Sequence, residues 1–146
     1  MIINTSRFGQ VEADDSSLVV FPDGIPGFPG EQRFIVLQEG LEGTPFWWLQ
    51  NAEVGELCFL VVEPDRIFRD YDFHVSDEQL QSLEIAEEAM LQTLAIVTVP
   101  DGDLKRATAN LKAPILINTQ ICLGAQIILD RDQYPIRQPL FADSGV

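Results

Sequence analysis

Turn-forming clusters interrupt this chain so often that neither a long helix nor a long strand fits between them. PDGIPGFPG occupies 22–30, EGLEGTP 39–45 and PDGD 100–103. Glycine supplies positive φ and proline fixes φ near about −65°, so these clusters are tight turns rather than linkers. Between the turn signals lie short runs at 2–4, 8–13, 18–21, 33–38, 46–51, 57–63, 70–75, 91–99, 115–119 and 125–129. Val, Ile, Phe and Trp dominate them, as a pleated, half-buried surface prefers. Strands this short and this frequent predict a mainly β fold, an antiparallel barrel or sandwich. At 146 residues the chain suits one domain, which buries roughly two-thirds of its unfolded surface.

One helix signal breaks the β pattern. Ser76 followed by Asp77, Glu78 and Gln79 reads as a capping box, with Ser76 as N-cap and Gln79 reaching back. The two acids also favour the positive N-terminal end of a helix. A short helix is expected over about 77–83, with Leu80 and Leu83 toward the core, and a weaker second turn around Ala86–Met90.

Charge narrows the partners. With 23 acids against nine Lys and Arg, the net charge is −14. Such a surface repels nucleic acid, whose binding relies on Lys and Arg displacing counterions from phosphates. Anionic membrane is repelled likewise. A basic protein is the natural complement. The stretch 63–88 holds nine of the acids (Glu63, Asp65, Asp70, Asp72, Asp77, Glu78, Glu84, Glu87, Glu88) against only Arg66 and Arg69. No apolar run approaches the ~20 residues needed to span a bilayer. MIINTSRFGQVEADD lacks the basic and apolar regions of a secretory signal, so a cytoplasmic location is expected.

Nothing in the chain assembles a catalytic set. GxSxG, the P-loop and GxGxxG are all missing from the sequence, and His74 is the sole histidine. Cys58 and Cys122 each sit in an apolar run with no basic neighbour, which predicts two reduced, core-like thiols. Within DYDFHVS, a strand would put Asp70, Asp72 and His74 on one face and Tyr71, Phe73 and Val75 on the other. Two readings of the polar face compete: a metal-dependent or ligand-binding enzyme site, and a solvated strand surface. The second is favoured, because side chains on one strand face diverge and no further ligand motif exists. No metal and no cofactor is expected. Phe46, Trp47 and Trp48 must place at least one ring on each side of a strand, and an exposed tryptophan there would suit a protein interface.

Taken together these motifs resemble the FliW family of flagellar assembly factors. The matching stretches are INT (Ile3–Thr5), FPDGIPGF (Phe21–Phe28) and RFIVL (Arg33–Leu37). PFWWLQN, EPDRIFRDYDFHVSDEQL, LAIVTVP, ATANLKAPILINT, AQIILD and IRQPL follow in order. The resemblance implies a compact antiparallel β-barrel-like single domain over 1–146 with one or two short helices. It also implies a non-enzymatic regulator that binds flagellin and sequesters the RNA-binding translational repressor CsrA, relieving repression of flagellin mRNA. A monomer is expected when the protein is free. Two surfaces become candidates on this footing. Asp70, Asp72, Asp77 and Glu78 would form an acidic patch for basic CsrA. Asn110, Leu111, Pro114, Ile115, Ile117 and Asn118 would combine structural work with flagellin contact, because Pro114 suits a strand start or edge and an edge can pair with a partner segment; the competing reading makes Ile115 and Ile117 plain core.

Overall fold

The computed structural model describes residues 1–25, 27–28, 30–86, 90–129 and 134–141. Its strands are β1 (Ile2–Thr5), β2 (Gly9–Glu12), β3 (Leu18–Val20), β4 (Arg33–Leu37), β5 (Phe46–Asn51) and β6 (Cys58–Val62). After two short helices, α1 (Pro64–Ile67) and α2 (Asp77–Ser82), come β7 (Leu91–Thr98), β8 (Thr108–Ala109), β9 (Ile115–Asn118), β10 (Leu123–Gln126) and β11 (Gln138–Pro139). Seven strands run in the order β7-β6-β5-β4-β3-β10-β9, and β9 pairs back onto β7. The sheet is therefore a closed, barrel-like ring. All its pairings are antiparallel except β3 with β10, which meet in parallel at Val20 and Leu123. β8 and β11 continue outward from β7, while β1 and β2 form a separate hairpin.

Alternation along the strands sorts side chains into inside and outside. Val19, Phe21, Ile25, Phe34, Leu49, Val61, Leu94, Ile115 and Ile117 fill the interior. Phe21 and Phe34 meet edge to face at 5.5 Å. A glycine is required at 124, because a Cβ there would lie 2.5 Å from the Phe21 ring. On β5, Trp47 packs against this interior, whereas Trp48 and Gln50 face outward. Gln50 and Ile35 are nevertheless fully buried, being outer-wall neighbours across β4 and β5. The β1–β2 hairpin supplies a buried face of Ile3 and Thr5, and Gly55 packs directly on the Asn4 carbonyl. The opposite wall is covered differently. Leu83, Ile85, Phe73 and Val75 pack over Leu116, Leu123 and Ile127, and Tyr71 joins Val62, Ala95, Ala109 and Leu111.

Most expected strands form, and three departures have physical causes. Residues 70–75 are not a strand. The ring is already closed around β6, β7 and β9, which leaves this run no ladder to join. The strand expected at 125–129 forms at 123–126 instead, because its register is fixed by Leu123 opposite Asn118 across the hairpin. α1 was not expected, though Pro64 follows Glu63 at the first helical position, where a missing N–H costs nothing. The capping box at α2 forms as read: Ser76 Oγ accepts from Gln79 N–H at 3.1 Å, and Gln79 Oε1 accepts from Ser76 N–H at 3.0 Å. The turn expected around Ala86–Met90 falls largely outside the described residues. So does Pro26 of the GIPGF turn, whose flanking Ile25 and Phe28 form an antiparallel bridge.

Candidate protein-interaction surfaces

The acidic segment keeps its two-faced character without being a strand. Asp70, Asp72 and His74 are exposed, while Tyr71 is buried and Phe73 and Val75 are half-buried. Two tyrosine hydroxyls hold the segment in place of a ladder: that of Tyr71 anchors it to the chain around Leu111, and that of Tyr134 meets its backbone groups. The Tyr71 hydroxyl donates to the Leu111 carbonyl at 2.7 Å. The Tyr134 hydroxyl accepts from Asp72 N–H at 2.8 Å and points at the carbonyls of Asp70 and Asp72. The two rings meet edge to face at 4.7 Å. Burial, reinforced by neighbouring Tyr134, pushes the Tyr71 phenol well above the usual tyrosine range. Tyr134 gave no signal in the sequence, since its partner lies more than sixty positions away.

Asp77 and Glu78 are exposed in the first turn of α2. Among the described residues, none of Asp70, Asp72, Asp77 and Glu78 forms an ion pair. Their carboxylates remain open to a cationic partner. The chelating arrangement considered for Asp70, Asp72 and His74 does not form: among the described residues, no three His, Cys, Asp or Glu side chains converge on a metal position.

Of the two readings of the 110–118 stretch, the core one holds for Ile115 and Ile117. β9 is paired on both sides, with β10 and with β7, so it offers no edge. Leu111, Pro114, Ile115, Ile117 and Asn118 are buried, and Ile115 and Ile117 belong to the barrel interior. The edge-pairing expectation is thus corrected, because closure of the ring occupies both flanks of the strand. The two asparagines shape backbone. Asn110 Oδ1 accepts from the N–H groups of Lys112 and Ala113. Asn118 Nδ2 donates to the carbonyls of Leu83 and Glu84 at 2.8 and 3.2 Å, tying the end of α2 to the barrel.

A second region escaped sequence reasoning. Arg7 lies over the Trp48 ring at 4.5 Å, and Phe8 packs on the same ring edge to face at 5.7 Å. Trp48 is therefore covered by the hairpin rather than presented as a free anchor, and its indole N–H donates to the Glu39 carbonyl at 3.2 Å. Ser6, Arg7, Gly55, Glu56 and Cys58 line a cleft of about 430 Å³ between hairpin and barrel. Both cysteines are free and half-buried, and Cys122 packs against the barrel interior. Burial raises the Cys58 thiol, opposed by the charge and hydrogen bond of Arg7. That basic neighbour is distant in sequence, which corrects the expectation of none.

Among the described residues, no helix is long and apolar enough to cross a membrane. Comparison with known proteins agrees with the motif reading. The family model described as FliW protein matches residues 2–140. A flagellar assembly factor FliW of Natranaerobius thermophilus is 39% identical over 145 residues, covering 99% of this chain and 95% of that protein. One from Moorella thermoacetica is 41% identical over 144 residues, covering 99% and 90%. A solved structure, described as the crystal structure of the flagellar assembly factor FliW, superposes with a TM-score of 0.90 at 36% identity over 99% of both chains. By sequence along its length and by the same barrel, the chain belongs to the FliW family.

Proposed function

We propose that this protein is a non-enzymatic cytoplasmic regulator, monomeric when free, that binds flagellin and also sequesters CsrA, relieving repression of flagellin mRNA translation. Membership of the FliW family over residues 2–140 carries the reading. Electrostatics support it: the chain has a net charge of −14, and Asp70, Asp72, Asp77 and Glu78 are exposed on one stretch. An RNA-binding repressor presents a basic surface to RNA, so an acidic protein of this kind attracts it at long range.

Co-purification of tagged protein with CsrA and with flagellin, singly and together, tests the proposal. Each should be retained alone. Recovery of neither partner overturns the reading. For the acidic segment, Asp70→Lys and Asp72→Lys should each slow CsrA association several-fold at low salt, with the difference shrinking as ionic strength rises. Unchanged rates across the salt series, in variants that fold normally, would place the contact elsewhere.

A further inference from the structure

The fold hides nearly every strand edge it makes. Seven strands close on one another, and the outward branch ends in β11, two residues long with Pro139 among them. Short length and proline are ways by which proteins blunt an edge. Among the described residues the hairpin is the exception, and its two edges differ. The Met1 amino group and Ala13 N–H exchange hydrogen bonds with Ala13 and Met1 carbonyls, at 3.0 and 2.9 Å. In an antiparallel ladder bonded and non-bonded pairs alternate, so Ile3 with Val11 and Thr5 with Gly9 are the next bonded pairs. The backbone groups of Asn4 and Ser6 then point away from β2, where Gly55 covers them: Ser6 N–H donates to the Gly55 carbonyl at 3.0 Å. Those of Gln10 and Glu12 point away from β1, and among the described residues β2 pairs with no other strand.

β2, four residues long, is twice the length of β11. Its sequence, Gly-Gln-Val-Glu, has no proline and no lysine. Gln10 and Glu12 are exposed, as is Ile2, directly opposite Glu12. Glu12, Asp14 and Asp15 stand along and just beyond the strand. Those charges decide the occupant. A second copy would bring the same carboxylates alongside and add −14 to −14, so self-pairing is disfavoured. We propose that the free edge of β2 is a docking site for an extended basic segment of another protein, added as a third strand to the hairpin. Backbone groups of Gln10 and Glu12 supply the ladder, and alternate Lys or Arg side chains of the incoming strand face Glu12, Asp14 and Asp15.

Residue-resolved amide exchange on the full chain tests this, with two eight-residue probes, one alternating Lys and Val and the other alternating Glu and Val. The Lys–Val peptide should slow exchange at Gln10 and Glu12 about tenfold at ten times its Kd, and the Glu–Val peptide should not. Gln10→Pro removes one outward donor without touching the ladder to β1 and should abolish the protection. Glu12→Lys keeps every backbone donor and should reverse the preference between the peptides. Four results overturn the proposal: no protection up to millimolar Lys–Val peptide, equal protection by both peptides, protection that survives Gln10→Pro, or protection that rises with protein concentration alone, which would identify a second copy as the occupant. Neither flagellin nor CsrA enters the test, so its failure leaves the proposed function standing.

Discussion

Two covers shield the outer wall of this barrel, and they are built on opposite principles. The β1–β2 hairpin is a ladder: its backbone groups satisfy one another, and Ile3 and Thr5 anchor it. The cover on the other side, residues 70–85, has only one regular element, the six-residue α2. It is held by individual side-chain hydrogen bonds: those of Tyr71 and Tyr134 at one end, the Ser76–Gln79 box in the middle and Asn118 under the far end. A ladder spreads its stability over many equivalent bonds, whereas the irregular cover concentrates it in a few polar groups that only one residue type can supply. Acidic side chains can therefore crowd the outer surface of the second cover without competing for a pairing partner.

The barrel beneath both covers should be the most sensitive part. Phe34→Ala removes a fully buried ring that packs on Phe21 and Phe59. It should cost about 3–5 kcal/mol in urea denaturation. A smaller loss would mean that the interior can collapse around the cavity. Asn118→Ala comes next, at about 2 kcal/mol, because it strands the carbonyls of Leu83 and Glu84 near a buried seam. If concentration of stability in single side chains is right, hydrogen exchange should speed selectively over 77–85 and leave the hairpin unchanged.

Tyr71→Phe should cost about 1 kcal/mol at neutral pH through the lost bond to Leu111. Its pH dependence sharpens the comparison. The folded phenol is raised, so above the ordinary tyrosine value of about 10 the unfolded state loses its proton first. The protein should then lose up to about 1.4 kcal/mol of stability per pH unit, a slope that Tyr71→Phe should lack. Denaturation curves at pH 8 and pH 11 would show whether the two lines converge, and parallel lines would refute the assignment to Tyr71. Smallest is Ser76→Ala, at about 1 kcal/mol or less, since α2 is short and Gln79 still caps from its own side. Circular dichroism melts should detect it as a shift of a few degrees.

The α2 cap was legible in the chain because its partners are three residues apart, and the barrel strands were legible because alternation is a local property. The inward and outward faces of DYDFHVS were legible for the same reason, even though no strand forms there. What the chain could not reveal by local pattern is which strands have both flanks occupied. Ile115–Asn118 after Pro114 reads equally as an edge or as core, yet β9 closes the ring, and only the β7–β9 pairing decides that. Tyr134 over Asp72 and Arg7 beside Cys58 are likewise meetings of distant segments. Sequence determined the β class, the helix start and the acidic character, all set by neighbours within a few residues. Tertiary structure decided which edge stays open, because a hydrogen-bonding edge is defined by what fails to pair with it, and pairing is settled only when the whole sheet closes.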